Sequence, residues 1–119
     1  MAGKIYVKRV YEPPADTDGL RVLVDRLWPR GISREKATIR HWFKDIAPSN
    51  SLRKWYLHDH EKWEGFKNRY FQELNENPEQ TDQLKSLIDQ HEIVTFLFSS
   101  KELKFNNAFA LLEYLQIGK

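Results

Sequence analysis

The sequence predicts an α/β domain: a small, mostly parallel sheet of three or four strands, flanked by about five helices in a single layered unit over residues 1–119. Three observations point there. Residues 22–24 and 93–98 are almost unbroken apolar runs, the pattern of strands covered on both faces. Each run ends abruptly in polar residues, Asp25-Arg26 in one case and Ser99-Ser100-Lys101-Glu102 in the other. The segments between them have helical spacing, and strands alternating with helices are how parallel sheets are connected.

In chain order, residues 5–11 (Ile-Tyr-Val-Lys-Arg-Val-Tyr) form a first strand with Lys8 and Arg9 near its end. Residues 12–19 are a loop rich in Pro, Asp and Gly. Its length leaves the direction of the first strand relative to the second open. The second strand, residues 20–24, enters a turn fixed by Pro29 and Gly31, after which Ser33, followed by Glu35 and Lys36, has the character of a helix N-cap. Ile39, Trp42, Phe43 and Ile46 then share one helical face, ended by Ala47-Pro48. Ser49 or Ser51 caps a second short helix bearing Leu52, Trp55 and Tyr56. Asp59 caps the next, whose stripe is Trp63, Phe66, Tyr70 and Leu74; Trp42, Trp63, Phe66 and Tyr70 are expected to be largely buried. Asn77-Pro78 breaks that helix and starts another with Leu84, Leu87, Ile88 and His91. Residues 93–98 make the third strand, parallel to the second, and a last helix carries Ala108, Leu111, Leu112 and Leu115, with Asn106 near its start.

Composition narrows the function classes. There is no cysteine, which removes disulfides, thiolate metal sites and cysteine nucleophiles and fits a cytoplasmic protein. The first residues carry no long apolar stretch of signal-peptide type, and no run approaches the roughly 20 apolar residues of a membrane span. Charge is unevenly placed: residues 1–70 hold 15 Lys and Arg against 9 Asp and Glu, and residues 71–119 hold 4 against 8. A basic first part suits an anionic partner, yet it lacks the dense basic tracts of a dedicated nucleic-acid arm.

Parallel strands end on one edge, and α/β proteins hold ligands there. Asp25, Arg26, Trp28 and Arg30 after the second strand, Ser99, Lys101 and Asn106 after the third, and Arg9 at the end of the first are therefore the candidate ligand-binding residues, with Ser33 contributing helix N–H groups. Arg26 and Arg30 have the fork geometry that holds phosphate or carboxylate bidentately. Two plainer readings stand beside this one: Asp25 and Arg26 as a salt bridge or loop clamp ordering the turn, and Trp28 as a core plug. Of the four histidines only His58-Asp59-His60 brings ligand types together, without the i, i+4 spacing of zinc enzymes, so no metal and no cofactor are expected. No Walker loop, dinucleotide-binding glycine turn or nucleophile elbow is present, and the catalytic residues, if any, are unnamed by the sequence.

Several runs resemble one family. Lys8-Arg9-Val10-Tyr11-Glu12-Pro13-Pro14, Asp25-Arg26-Leu27-Trp28-Pro29-Arg30-Gly31, Lys44-Asp45-Ile46-Ala47-Pro48-Ser49 and Leu52-Arg53-Lys54-Trp55 are similar to the YeaO-like branch of the bacterial Domain of Unknown Function 488 family. The likeness continues through His58-Asp59, Trp63-Glu64-Gly65-Phe66, Tyr70, residues 95–98 and Asn106-Asn107-Ala108. It implies a compact cytosolic α/β domain with no established activity. The chain departs from the family pattern at His60 (proline usual), Phe98 (tyrosine), Glu102 (aspartate) and Phe105 (histidine), which weighs against an enzyme.

Three functions therefore compete: a crevice binding, or acting on, a phosphate-bearing small molecule or nucleotide; a nucleic-acid-binding accessory protein using the same arginines; and a protein-interaction module without catalysis. No membrane partner is expected, and the oligomeric state is left open.

Overall fold

A computed structural model describes residues 4–57 and 59–117. Four strands, β1 (Lys4–Arg9), β2 (Leu20–Leu23), β3 (His41–Trp42) and β4 (Ile93–Phe98), form one sheet in the order β1-β4-β2-β3. Every pairing is parallel, with Tyr6 opposite Thr95, Val22 opposite Phe96 and Leu23 opposite Trp42. The open direction of the first strand resolves as parallel, and β1 does not touch β2, because β4 lies between them. The apolar run of residues 94–98 is fully buried, as a central strand requires. No helix among the described residues is long and apolar enough to cross a membrane.

The two faces of the sheet are covered differently. Val22, Val24, Val94, Phe96 and Phe98 pack against all four helices: α1 (Asn50–Tyr56), α2 (Trp63–Asn75), α3 (Pro78–Asp89) and α4 (Asn107–Ile117). The opposite face, with Leu23 and Leu97, is closed by Val10, Ala37 and Ile39 and flanked by Trp28, Ile32 and Trp42; all but Trp42 of β3 come from connecting segments. Helices thus occupy one side of the sheet and loops the other.

Four α-helices stand where about five were expected, and the difference lies in residues 33–46. Ser33 behaves locally as a cap, its Oγ accepting the Lys36 N–H at 3.4 Å and its carbonyl the Ala37 N–H at 3.0 Å. No helix grows from it, because Thr38 turns the chain into the left-handed region at φ 53°. Arg40 and Phe43 then donate their N–H groups to the carbonyls of Arg21 and Leu23 across the sheet, which makes β3. The i, i+3, i+4, i+7 spacing misled because Ile39 and Trp42 face one side of the sheet while Phe43 and Ile46 face the other. The later helices begin as their caps indicate: Ser49 Oγ accepts the Leu52 N–H at 3.2 Å, Asp59 caps a 3-10 turn leading into α2, and Pro78 opens α3. Phe66 and Tyr70 are buried, but Trp42 and Trp63 are only half-buried. Trp63 stacks on Phe66 with centroids 5.6 Å apart and keeps an outer face under the Lys67 ammonium.

The β1–β2 connection is short and tightly held. Gly19, at φ 61°, passes so close to β4 that a Cβ there would fall 2.2 Å from the Ile93 carbonyl oxygen, so no other residue fits. Just before it, the Asp18 carboxylate receives the Ala15 N–H, the Lys8 ammonium and the buried Arg21 guanidinium, the last at 2.6 Å. Burial pushes the Asp18 carboxyl upward, but these hydrogen bonds and the Lys8 charge outweigh it and hold the group below its ordinary value. A depressed carboxylate contributes stability that is complete above the unfolded value of about 3.9 and is lost as pH falls through the lower folded value. Asp18→Asn should lower the urea midpoint at neutral pH and flatten its decline below about pH 5, measured as midpoint against pH. On the helical face, Tyr70 is inaccessible to solvent and donates its hydroxyl to the Ile46 carbonyl at 2.6 Å. Tyr70→Phe leaves that carbonyl buried without a donor and should cost about 1–3 kcal/mol in urea unfolding.

Candidate functional site

Because all four strands run the same way, β2 and β4 deliver residues 25–30 and 99–107 to a common edge. Asp25 sits at their junction. One carboxylate oxygen accepts the Ser99 N–H at 2.9 Å and the Ser99 hydroxyl at 2.8 Å, and the other accepts the Asn107 amide at 3.1 Å. The same Asn107 amide reaches the Val24 carbonyl, and the Asp25 carbonyl takes the Trp42 indole N–H at 2.7 Å.

Arg26 turns the other way. Its Nε and Nη2 donate to the carbonyls of Pro48 and Ala47 at 3.2 and 3.0 Å, tying the turn to the start of α1. Asp25 and Arg26 form no salt bridge with each other; each clamps the turn separately, Asp25 to the β4 side and Arg26 to the start of α1, which is the loop-clamp form of the plainer reading. Trp28 is half-buried: its indole donates to the Ile32 carbonyl at 2.9 Å and it meets Trp42 edge-on at 5.3 Å. The exposed Arg30 makes no side-chain hydrogen bond or ion pair among the described residues, though its carbonyl receives the Tyr11 hydroxyl.

These residues line a cleft of about 620 Å³, within the roughly 300–1,000 Å³ of ordinary small-ligand sites. Asp25, Arg26, Trp28, Arg30, Ser99 and Asn106 all border it. Three other candidates do not. Arg9 braces the β4 loop from behind, donating to the carbonyls of Ser99 and Ser100 at 3.1 and 2.9 Å. Lys101 is exposed beyond the cleft wall, and Ser33 lies in the turn on the loop-covered side. Asn106 is buried and caps α4, its Oδ1 accepting the Phe109 N–H at 3.0 Å.

Sequence reasoning passed over Arg53, Lys54, Tyr56 and Asn107, which also line the cleft. Arg53 and Lys54 read as the solvated face of an amphipathic helix, and only the position of α1 beside the sheet edge brings them to the cleft. Asn107 was visible next to Asn106 in the resemblance. Tyr56 donates to the Phe105 carbonyl at 3.1 Å. Burial, reinforced by the charges of Glu102 and Asp59, pushes its hydroxyl up to about 12, so it stays protonated at neutral pH.

Behind this wall His60 pairs with Glu102 at 2.6 Å and packs against Phe105. Glu102 is held below its ordinary value, chiefly by the Lys104 N–H; desolvation opposes this, and the His60 contact and the Phe105 N–H add to the lowering. Three of the four positions that depart from the family pattern, His60, Glu102 and Phe105, thus form one contact group. His58 lies outside the described residues, and among those described no cluster of three His, Asp or Glu is placed to hold a metal ion.

The family model described as the inactive DUF488-N3 subclade matches residues 4–117. The chain belongs to that family. Within it, the chain is similar to the uncharacterized protein YeaO of Escherichia coli (strain K12), 36% identical over 112 residues that cover 94% of this chain and 96% of YeaO. It is equally similar to the uncharacterized protein Rv3073c of Mycobacterium tuberculosis (strain H37Rv), 36% identical over 112 residues, 94% of this chain and 93% of that protein. No solved structure matches the chain.

The tie at Asp25 can be tested directly. Asp25→Asn puts an amide donor where three donors already converge, and should cost roughly 1.5–3 kcal/mol of stability by urea unfolding. An unchanged midpoint would show that the sheet edge is held without it.

Proposed function

We propose that the cleft is a binding site for a phosphate-bearing small molecule, nucleotides included, in a cytoplasmic protein that does not act chemically on what it binds. One observation carries the anionic preference: Arg26, Arg30, Arg53 and Lys54 line the cleft against a single carboxylate, Asp25. That carboxylate is already covered by three donors, so little of its charge opposes an anion. Arginine forks and a lysine suit phosphate oxygens, and the apolar walls lower the dielectric in which they act.

Binding without catalysis is favoured by what the cleft offers. The Ser99 hydroxyl donates to Asp25, no histidine lines the space among the described residues, and the Tyr56 hydroxyl remains protonated. The one hydroxyl beside a carboxylate is Ser99, and its partner Asp25 also holds the Ser99 N–H and the Asn107 amide, the arrangement of a structural tie rather than of a general base set to activate a nucleophile. The description of the matching family model as inactive agrees with this reading.

Arg30 is the best probe, because Arg26 also holds backbone carbonyls. Arg30→Ala should weaken inorganic phosphate binding at least about tenfold by calorimetry, as expected for loss of a charge-assisted pair, and leave the urea midpoint unchanged. Binding should also fall only modestly between about 50 and 200 mM salt, whereas a site tracking many phosphates of a nucleic acid would lose roughly a thousandfold or more. Absence of phosphate binding to the intact chain would refute the proposal. A steep salt dependence with an oligonucleotide would favour the nucleic-acid reading instead.

A further inference from the structure

The cleft has an apolar side that an anion site alone does not explain. Six large hydrophobic side chains are exposed among the described residues, and three of them line this one opening: Tyr11, Leu27 at 63% and Leu57 at 73% exposure. Single exposed leucines are ordinary on protein surfaces, but here they converge from separate segments, the turn after β2 and the end of α1.

Leu57 is also a poor choice for its own backbone. It closes α1 at φ 45° and ψ 38°, the left-handed region where a Cβ crowds the following carbonyl and where glycine or asparagine is the usual helix-ending residue. Its N–H bonds to the Arg53 carbonyl, a contact glycine makes equally well. With most of its side chain in solvent, the leucine adds little packing. The fold therefore gives no reason for leucine at this position, and its place on the cleft does.

The aromatic rings of Tyr56, Phe66 and Phe105 line the same space, beside the cations Arg26, Arg30, Arg53 and Lys54. We propose that the ligand is a small phosphate monoester whose other half is a flat aromatic ring, with the phosphate on the cations and the ring between the two leucines and the aromatic wall. This rests on the anion-binding reading above and narrows it. A polyhydroxylated ester, such as a sugar or glycerol phosphate, would press hydroxyl groups against leucine and phenylalanine without partners, which is costly, whereas an aromatic ring gains by the same burial.

Calorimetric titration of the full chain with inorganic phosphate, glycerol phosphate, phenyl phosphate and adenosine monophosphate separates the possibilities. Phenyl phosphate should bind at least about tenfold tighter than glycerol phosphate, the return expected for burying a ring against apolar side chains. Leu57→Gly should raise the melting temperature or leave it unchanged, and bring the phenyl-to-glycerol affinity ratio close to one. Leu27→Ser, at an ordinary backbone position, should lower the same ratio. Adenosine monophosphate binding as well as phenyl phosphate places the natural ligand among nucleotides; phenyl phosphate binding alone places it among simple aryl phosphates, and both support the inference. Equal affinity for phenyl, glycerol and inorganic phosphate overturns it while leaving the anion site standing. No binding of any of the four removes both. A phenyl phosphate preference that survives in both leucine variants also overturns it.

Discussion

The Asp25 carboxylate joins three segments that the parallel sheet delivers to one edge. It receives Ser99 from just after β4 and Asn107 from the first residue of α4, while itself lying just after β2. Adjacent parallel strands feed loops that must diverge, one toward each neighbouring element, and the space between them is the cleft. The tie sets how far they separate. Arg26, one residue on, holds the other side by reaching the carbonyls of Ala47 and Pro48. The turn after β2 is thus anchored to both of its neighbours, and Arg30, Arg53 and Lys54 project from a fixed frame rather than from a loose loop.

The loop-covered face is held by another kind of interaction. Where helices would bring apolar stripes, the β1–β2 connection brings Asp18, which gathers Lys8 and Arg21, while its carbonyl accepts the Thr95 hydroxyl from the central strand at 2.7 Å. Arg21 is only 1% exposed and donates through Nε to the Ala37 carbonyl and through Nη1 to Asp18. A buried guanidinium is tolerated only with such partners, so this network fixes the two connecting segments against each other as well as against the sheet. It joins with directional bonds what the opposite side joins by packing.

How much of this was legible in the sequence follows from how local each signal is. The strands at residues 22–24 and 93–98 were readable because burial on both faces leaves an unbroken apolar run, and α2 and α3 because each apolar stripe is contained within one helix. Residues 39–46 were not readable in this way: their spacing satisfies a helix template, and only the hydrogen bonds of Arg40 and Phe43 to β2, together with the left-handed turn at Thr38, decide otherwise. The cleft was legible to the same degree. Asp25, Arg26 and Arg30 announce themselves as charges directly after an apolar strand, but Arg53, Lys54 and Tyr56 reach the site from a helix whose placement depends on the sheet order β1-β4-β2-β3. The positions of Arg9 and Lys101 turn on side-chain direction, which no pattern of residue types records.

That strand order also governs how the protein is made. The pairings that complete the sheet set Lys4 against Ile93 and Leu20 against Val94, so β1 and β2 have no strand to lie between them until the ribosome has added residues 93–98. Until then β1 has no strand partner and β2 has only the two-residue β3, so local helices such as α2 and α3 are what the nascent chain can form first. The arrival of that one six-residue segment joins β1 to the β2–β3 pair and brings Ser99 to Asp25. The completed sheet and the cleft therefore depend on the same segment, and a chain halted before β4 lacks the strand that both require.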